Sequence, residues 1–258
     1  MSAASPYDAA APSFDRYRAL PQGVPEKIRI AILGALGTTR PRVLDLGAGT
    51  GRIGRAFVVA GDDYVGVDLS LGMLREFARR SRHAIPTPRL VQADGERLPF
   101  RDATFDAVLL VQVIGAAQSW RTLVMEARRA LRPAGALILG HSVAPAAGID
   151  AQMKQRLASL LDELGESSYH KETRGVVQPW LETCAQTSWR VAAAEWTAER
   201  TPGGFLVRQQ TGARFSRLPE AVRIVALRKL AEWAGATFGS LDVAFREQHA
   251  FELQLFKF

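Results

Sequence analysis

The stretch Val43 to Gly54, VLDLGAGTGRIG, decides the fold. An apolar run that gives way at once to glycines reads as a β-strand entering a tight turn before a helix. Such a turn needs residues that tolerate positive φ or lack a Cβ, and Gly47, Gly49 and Gly51 supply them. They also let a ligand approach the backbone beside a helix N-terminus. Two ligand classes fit. Gly49-Thr50-Gly51-Arg52-Ile53-Gly54 satisfies G-x-G-x-x-G, the pattern that cradles a dinucleotide pyrophosphate. Gly47-Ala48-Gly49-Thr50-Gly51, with Asp45 two residues upstream, suits an adenosyl ligand without phosphate. A plain βα turn that holds nothing is the third reading.

Asp45 weighs between them. A carboxylate just before the loop repels a pyrophosphate, whereas it attracts a ligand that carries an ammonium and a sulfonium. Asp68 closes the next apolar run, YVGVDLS, about 20 residues beyond the loop, where an acid accepts hydrogen bonds from ribose hydroxyls. It fits either adenosine ligand. Its competing role as an N-cap is served better by Ser70. Asp94 ends RLVQAD, where it suits an adenine amino group; Asp94-Gly95 is equally a turn dipeptide.

Outward from these motifs, short strands alternate with helices. RVLDLG, YVGVDLS, RLVQAD, FDAVLLVQV and GALILG read as strands. GRIGRAFVVAG, LGMLREFARRS and SWRTLVMEARRAL read as helices, the last ended by Pro133 and Gly135. This rhythm predicts a parallel sheet covered on both faces, with its ligand-bearing loops on one edge. Upstream, PSFDRYRAL reads as a helix with Ser13 as a possible N-cap, and Pro25 opens a second helix with Ile28, Ile32 and Leu36 on one face. Downstream, an amphipathic helix carries Met153, Leu157, Leu160, Leu161 and Leu164 as its stripe. A helix is expected after Pro179, a sixth strand at WRVAAAEWTAER, and two more helices. The alternation of Phe251, Leu253 and Leu255 marks a final strand.

The chain of 258 residues is long enough for one large α/β domain, and its 47% hydrophobic content is ordinary for a globular protein. One cysteine, Cys184, excludes an internal disulfide and a cysteine-only zinc site. No histidine–carboxylate set has metal-ligand spacing, so no metal is expected. The net charge of +7 comes mostly from arginines scattered along helices, without a basic tail, and makes nucleic acid an unlikely partner. No run approaches a membrane span and the N-terminus does not read as a signal peptide, so the cytoplasm is the expected location. Oligomeric state is not readable.

The order VLDLGAGTGRIG, YVGVDLSLGMLREF, LVQADGERLPFRDATFDAVLLVQV and EARRALRPAGALIL resembles the class I S-adenosylmethionine-dependent methyltransferases. It looks closest to their ubiquinone/menaquinone-biosynthesis-type branch (methyltransferase domain 11). The resemblance covers roughly residues 40–140. It implies S-adenosyl-L-methionine as cofactor, with S-adenosyl-L-homocysteine as product. It assigns the glycine-loop acid to Asp45, the loop to Gly47, Ala48, Gly49, Thr50 and Gly51, and the ribose acid to Asp68. Leu69, Met73, Ala93, Asp94 and Gly95 match its adenine-side positions. Val111, Gln112 and Val113 match the segment where donor and acceptor meet. FDRYRAL resembles a helix that closes over the donor, which makes Tyr17 and Arg18 lid contacts. The chain departs from close relatives in having no histidine in VIGAAQSW after the fourth strand. It also has Pro133-Ala134-Gly135 where Pro-Gly-Gly is usual; Gly135 is expected to permit the turn.

The expected fold is α/β: a Rossmann-like, doubly wound sheet of about seven strands, mostly parallel with an antiparallel last strand. Residues 1–40 form an N-terminal helical lid, 41–145 the donor-binding core, 146–189 a helical cap or insert, and 190–258 a part that completes the sheet and acceptor pocket, all in a single domain. The expected function is methyl transfer to a small-molecule acceptor, apolar or amphipathic, driven mainly by proximity and orientation. Candidates for catalysis are His141, placed after the fifth strand, His170 beside Tyr169, and Gln112. His83 and His249 read as structural. Trp180, Trp189, Trp196, Phe205, Phe215 and Trp233 read mostly as core, a few as acceptor-pocket wall. Arg174, Arg200, Arg208 and Arg214 are candidates for an acidic group, though a solvated face suits each. A module that binds the donor without catalysis is an open alternative. Nucleic-acid methylation is disfavoured by the lack of an Asn/Asp-Pro-Pro-aromatic signature, and a nicotinamide oxidoreductase by Asp45 and the terminal strand plan.

Overall fold

The structure, a computed structural model, describes residues 7–8, 11–38, 40–166, 173–210, 212, 215 and 217–258, apart from the side chains of Tyr17, Thr173 and Arg174. Strands β1 (Val43–Leu46), β2 (Tyr64–Asp68), β3 (Arg89–Gln92), β4 (Phe105–Val111), β5 (Leu131–Val143), β6 (Thr187–Arg200) and β7 (Phe245–Lys257) form one sheet in the order β3-β2-β1-β4-β5-β7-β6. β1 to β5 pair in parallel, and β7 runs antiparallel to both β5 and β6.

The helices are α1 (Ala11–Arg18), α2 (Val24–Leu36), α3 (Gly54–Val59), α4 (Leu71–Arg80), α5 (Trp120–Ala130), α6 (Ile149–Glu163), α7 (Thr173–Cys184), α8 (Pro202–Gln210) and α9 (Glu220–Phe238). Successive strand residues point to opposite faces. Val108 and Leu110 therefore meet Val124 and Ala127 of α5 and Leu181 of α7, while Ala107 and Leu109 face Ile28 and Ile32 of α2 and Phe57 of α3. A third core joins Met153, Leu157 and Leu161 of α6 to Phe205 of α8 and Ala226 and Leu230 of α9. This helical layer thus draws on both sides of the boundary expected at 189/190, whereas α7 packs on the sheet.

Several local expectations are corrected. Ser13 lies inside α1 rather than capping it. α7 begins before Pro179, which sits within the helix. α5 stops at Ala130, and Pro133 to Gly135 belong to β5, beside an irregularity in its pairing with β4. There the left-handed residue is Ala134, at φ 64°, not Gly135. Gly135 is needed for space: a Cβ on it would lie 2.9 Å from the Arg132 carbonyl oxygen and 3.1 Å from that of Asp106. Replacing the usual glycine by Ala134 therefore costs strain, because a Cβ crowds the backbone at positive φ.

Candidate active site

β1 lies between β2 and β4, so the crossovers leave in opposite directions from the β1 and β4 ends and open a crevice there. The crevice is a cavity of about 730 Å³. Its wall brings together Asp45, Gly47, Ala48, Gly49, Thr50, Asp68, Leu69, Met73, Ala93, Asp94, Gly95, Val111, Gln112, Val113 and Arg18, residues far apart in the chain.

The glycine loop is shaped for close approach. Gly47, Gly49 and Gly51 all have positive φ, at 77°, 56° and 77°. A Cβ on Gly47 would collide with Val113 at 2.5 Å, and one on Gly51 with the Phe77 ring at 2.4 Å. A Cβ on Gly49 would meet only the Gly47 carbonyl oxygen, at 3.9 Å, so that face of the loop is open to a ligand. Gly54 does not belong to the loop. It begins α3, and its missing Cβ makes room for the Tyr64 hydroxyl, which would lie 2.1 Å away.

That hydroxyl donates to Asp45 Oδ2 at 2.7 Å. Asp45 is 3% exposed, and its other oxygen, Oδ1, is buried without a hydrogen-bond partner among the described residues. Burial lifts the Asp45 carboxyl to about 6, against the opposing hydrogen bond from Tyr64 and with a smaller push from Asp68. A buried acceptor left unsatisfied is costly, and a ligand ammonium in the cavity would relieve it. Asp68 fixes the loop as well as facing the cavity. Its Oδ2 accepts from the Gly49 amide and its Oδ1 from the Ser70 amide, each at 2.8 Å. The carboxylate still has lone-pair capacity for a hydroxyl donor. Burial raises its pKa. Ser70 caps α4, its hydroxyl accepting from the Met73 amide at 3.2 Å. Asp94 makes the turn anticipated from Asp-Gly, its Oδ1 accepting from the Glu96 amide at 2.9 Å, and it lines the cavity as well.

Gln112, just past β4, holds φ 55°, rare for a residue with a Cβ. Its Oε1 accepts from Arg52 Nη2 at 2.6 Å, which leaves the side-chain N–H groups for other partners. Arg52 also donates through Nη1 to the Arg18 carbonyl oxygen at 2.9 Å. It is half-buried, with its open side toward the cavity. Burial first, then the neighbouring Arg18, lowers its guanidinium to about 10.

α1 is fastened over the loop. Thr50 Oγ1 donates to Asp15 Oδ1 at 2.5 Å, and Arg80 pairs with the other Asp15 oxygen. Asp8 Oδ1 accepts from the Ser70 hydroxyl at 2.6 Å and the Gly72 amide at 2.9 Å, adding negative charge at the start of α4.

Other sequence candidates fall outside this wall. His141 lies within β5, not after it, and faces Glu252 of β7 at 3.6 Å. His249 is buried inside β7, with Nε2 3.3 Å from Glu247 Oε2 and its ring stacked on Trp196. Among the described residues no histidine lines the cavity. His170, Tyr169 and Arg214, and the side chains of Tyr17 and Arg174, lie outside the described residues. Arg200 and Arg208 pair with Asp150. None of Trp180, Trp189, Trp196, Phe205, Phe215 and Trp233 is in the wall; its aromatics are Tyr7, outside any motif, and Phe14, the first residue of FDRYRAL. Arg52, Lys154 and Arg217 were also missed. For Arg52 a signal existed, since the residue after the last loop glycine begins the turn into α3.

A methyltransferase-domain family profile matches residues 44–139. The demethylmenaquinone methyltransferase of Clavibacter sepedonicus is 30% identical over 195 residues, covering 72% of this chain and 79% of that protein. That of Renibacterium salmoninarum is 32% identical over 147 residues, which span 56% of this chain and 60% of that protein's own length. Among solved structures, Bacillus subtilis YcgJ superposes with a TM-score of 0.58 at 17% identity over 90% of this chain and 98% of its own. A putative methyltransferase from Bacillus halodurans gives 0.56 at 16% identity, with 92% and 99% covered.

Proposed function

The chain belongs to the class I S-adenosylmethionine-dependent methyltransferases of the menaquinone/ubiquinone type, and from that premise we propose that it transfers a methyl group from S-adenosylmethionine to a small-molecule acceptor. The observation that carries this reading is the buried, unsatisfied Asp45 Oδ1 in the wall of a cavity beside an open glycine loop. The acids Asp45, Asp68 and Asp94 at the ends of β1 to β3 suit a cationic, phosphate-free ligand and repel a pyrophosphate.

The residues present fit the donor. Asp45 would hold its ammonium, Asp68 its ribose, and Leu69, Met73, Ala93, Asp94 and Gly95 its adenine. Bound there, S-adenosylmethionine supplies a methyl group on a sulfonium that is already a good leaving group. The protein's part is to align the acceptor with the methyl carbon for in-line displacement and to exclude water; alignment of this kind supplies roughly 7–11 kcal/mol. Gln112, held by Arg52, is placed to orient the acceptor through its amide N–H groups. The demethylmenaquinone named in the relatives is a first acceptor to assay. The second reading, donor binding without turnover, is favoured by the lack of a histidine in the described wall.

Thermal shift tests the donor assignment, because a ligand that binds only the native state raises the melting temperature. S-adenosylmethionine and S-adenosylhomocysteine are expected to stabilise the protein, and NAD and NADP are not. Asp68→Ala is expected to weaken both adenosyl ligands; an unchanged affinity removes the ribose assignment.

A further inference from the structure

The cavity is electrically two-sided. Its acids, Asp45, Asp68, Asp94 and Glu96, come from the ends of β1 and β2 and the turn after β3, and each accepts a hydrogen bond from the protein. Its cations, Arg18, Arg52, Lys154 and Arg217, come from α1, the entry to α3, α6 and the segment before α9. Two of them are tied to the far side of β4: Arg52 to Gln112, and Arg217 Nη2 to the Ala116 carbonyl oxygen at 3.2 Å. Among the described residues, Arg52, Lys154 and Arg217 make no ion pair. Like charges lining one cavity repel one another, and an anion between them offsets that repulsion.

The donor brings a single carboxylate. Arg18 and Arg52, beside the glycine loop, lie on its side of the cavity. Lys154 stands on α6 and Arg217 just before α9, in the cavity wall and outside the glycine loop; Arg217 reaches the Ala116 carbonyl in the segment that follows Gln112. We propose that the acceptor is an acid, bearing a carboxylate or phosphate that Lys154 and Arg217 hold while its nucleophilic atom meets the methyl group near Gln112. The inference rests on the methyl-transfer reading and narrows it: a neutral polyprenyl quinol does not use these cations.

The full chain, loaded with saturating S-adenosylhomocysteine, is titrated by calorimetry with 4-hydroxybenzoate, phenyl phosphate and the neutral 4-hydroxybenzamide. Both acids are expected to bind at least about tenfold more tightly than the amide, and to weaken as salt is added. In the Lys154→Gln/Arg217→Gln variant that preference disappears while the S-adenosylhomocysteine affinity stays within about twofold; both side chains are exposed, so the fold tolerates the change. Acids that bind no better than the amide, or a preference that survives the double substitution, overturn the inference. A failure of S-adenosylhomocysteine to bind appears in the loading step and overturns the methyl-transfer reading itself.

Discussion

Asp45 shows how one buried atom carries both a cost and a function. Its carboxyl is lifted to about 6 in the folded protein, against about 4 for an exposed aspartate. The folded state therefore holds this proton more tightly than the unfolded state. Stability of the ligand-free protein from this group falls as pH rises from about 4 to about 6, by on the order of 3 kcal/mol. A donor ammonium favours the ionised carboxylate, so affinity moves the other way. Calorimetry should show the Kd for S-adenosylhomocysteine falling as pH rises to about 6 and levelling above it, with Asp45→Asn flattening the profile and weakening binding at pH 7. A profile unchanged by Asp45→Asn would mean that Asp45 does not face the ammonium. Ala134 is a case of backbone strain, at φ 64°. Ala134→Gly relieves the left-handed conformation at the cost of a looser unfolded chain, and should raise stability by roughly 0.5–1 kcal/mol in a urea titration.

At the scale of elements, α1 matters more than its length suggests. Its Asp15 ties Thr50 of the glycine loop to Arg80 of α4, so the helix that covers the cavity also braces two of its walls. Asp15→Ala should cut that tie. The expected result is a Kd for S-adenosylhomocysteine weakened about tenfold, within the worth of one charge-assisted hydrogen bond, together with faster amide exchange in α1. An unchanged affinity would make α1 a bystander. FDRYRAL was legible as a helix, but the partner of each side chain was not. Nothing in the sequence spacing says that Asp15 reaches Thr50, because that contact joins residues 35 apart. Asp106, in the quoted string LVQADGERLPFRDATFDAVLLVQV, has a similar lesson. Asp106 accepts from the Arg42 amide at 2.7 Å and pairs with Arg132, so it clasps the base of the sheet instead of touching the cavity.

For the whole molecule, β7 completes the sheet. It runs between β5 and β6, antiparallel to both, and buries Phe251, Leu253, Leu255 and Phe256. Phe256 is fully buried in the core that also holds α5 and α7. Phe256→Ala should cost about 3–5 kcal/mol through lost transfer energy and the cavity left behind, seen as a lower urea midpoint with an unchanged slope. The sequence by itself determined the alternating strands, the glycine turn and the acids Asp45, Asp68 and Asp94, because those signals are local: periodicity, positive φ and charge beside a loop act within a few residues. That Gly54 makes space for the Tyr64 hydroxyl on its way to Asp45 was not legible there. Only the tertiary structure decided that His141 faces Glu252 away from the cavity, that the tryptophans pack half-buried against the cores rather than in the cavity wall, and that Arg52, Lys154 and Arg217 line one cavity. Those placements depend on the sheet order and on how α6 to α9 fold back over it. Side chains from distant segments meet by packing, and packing energy depends on shape and burial that no short window of sequence contains.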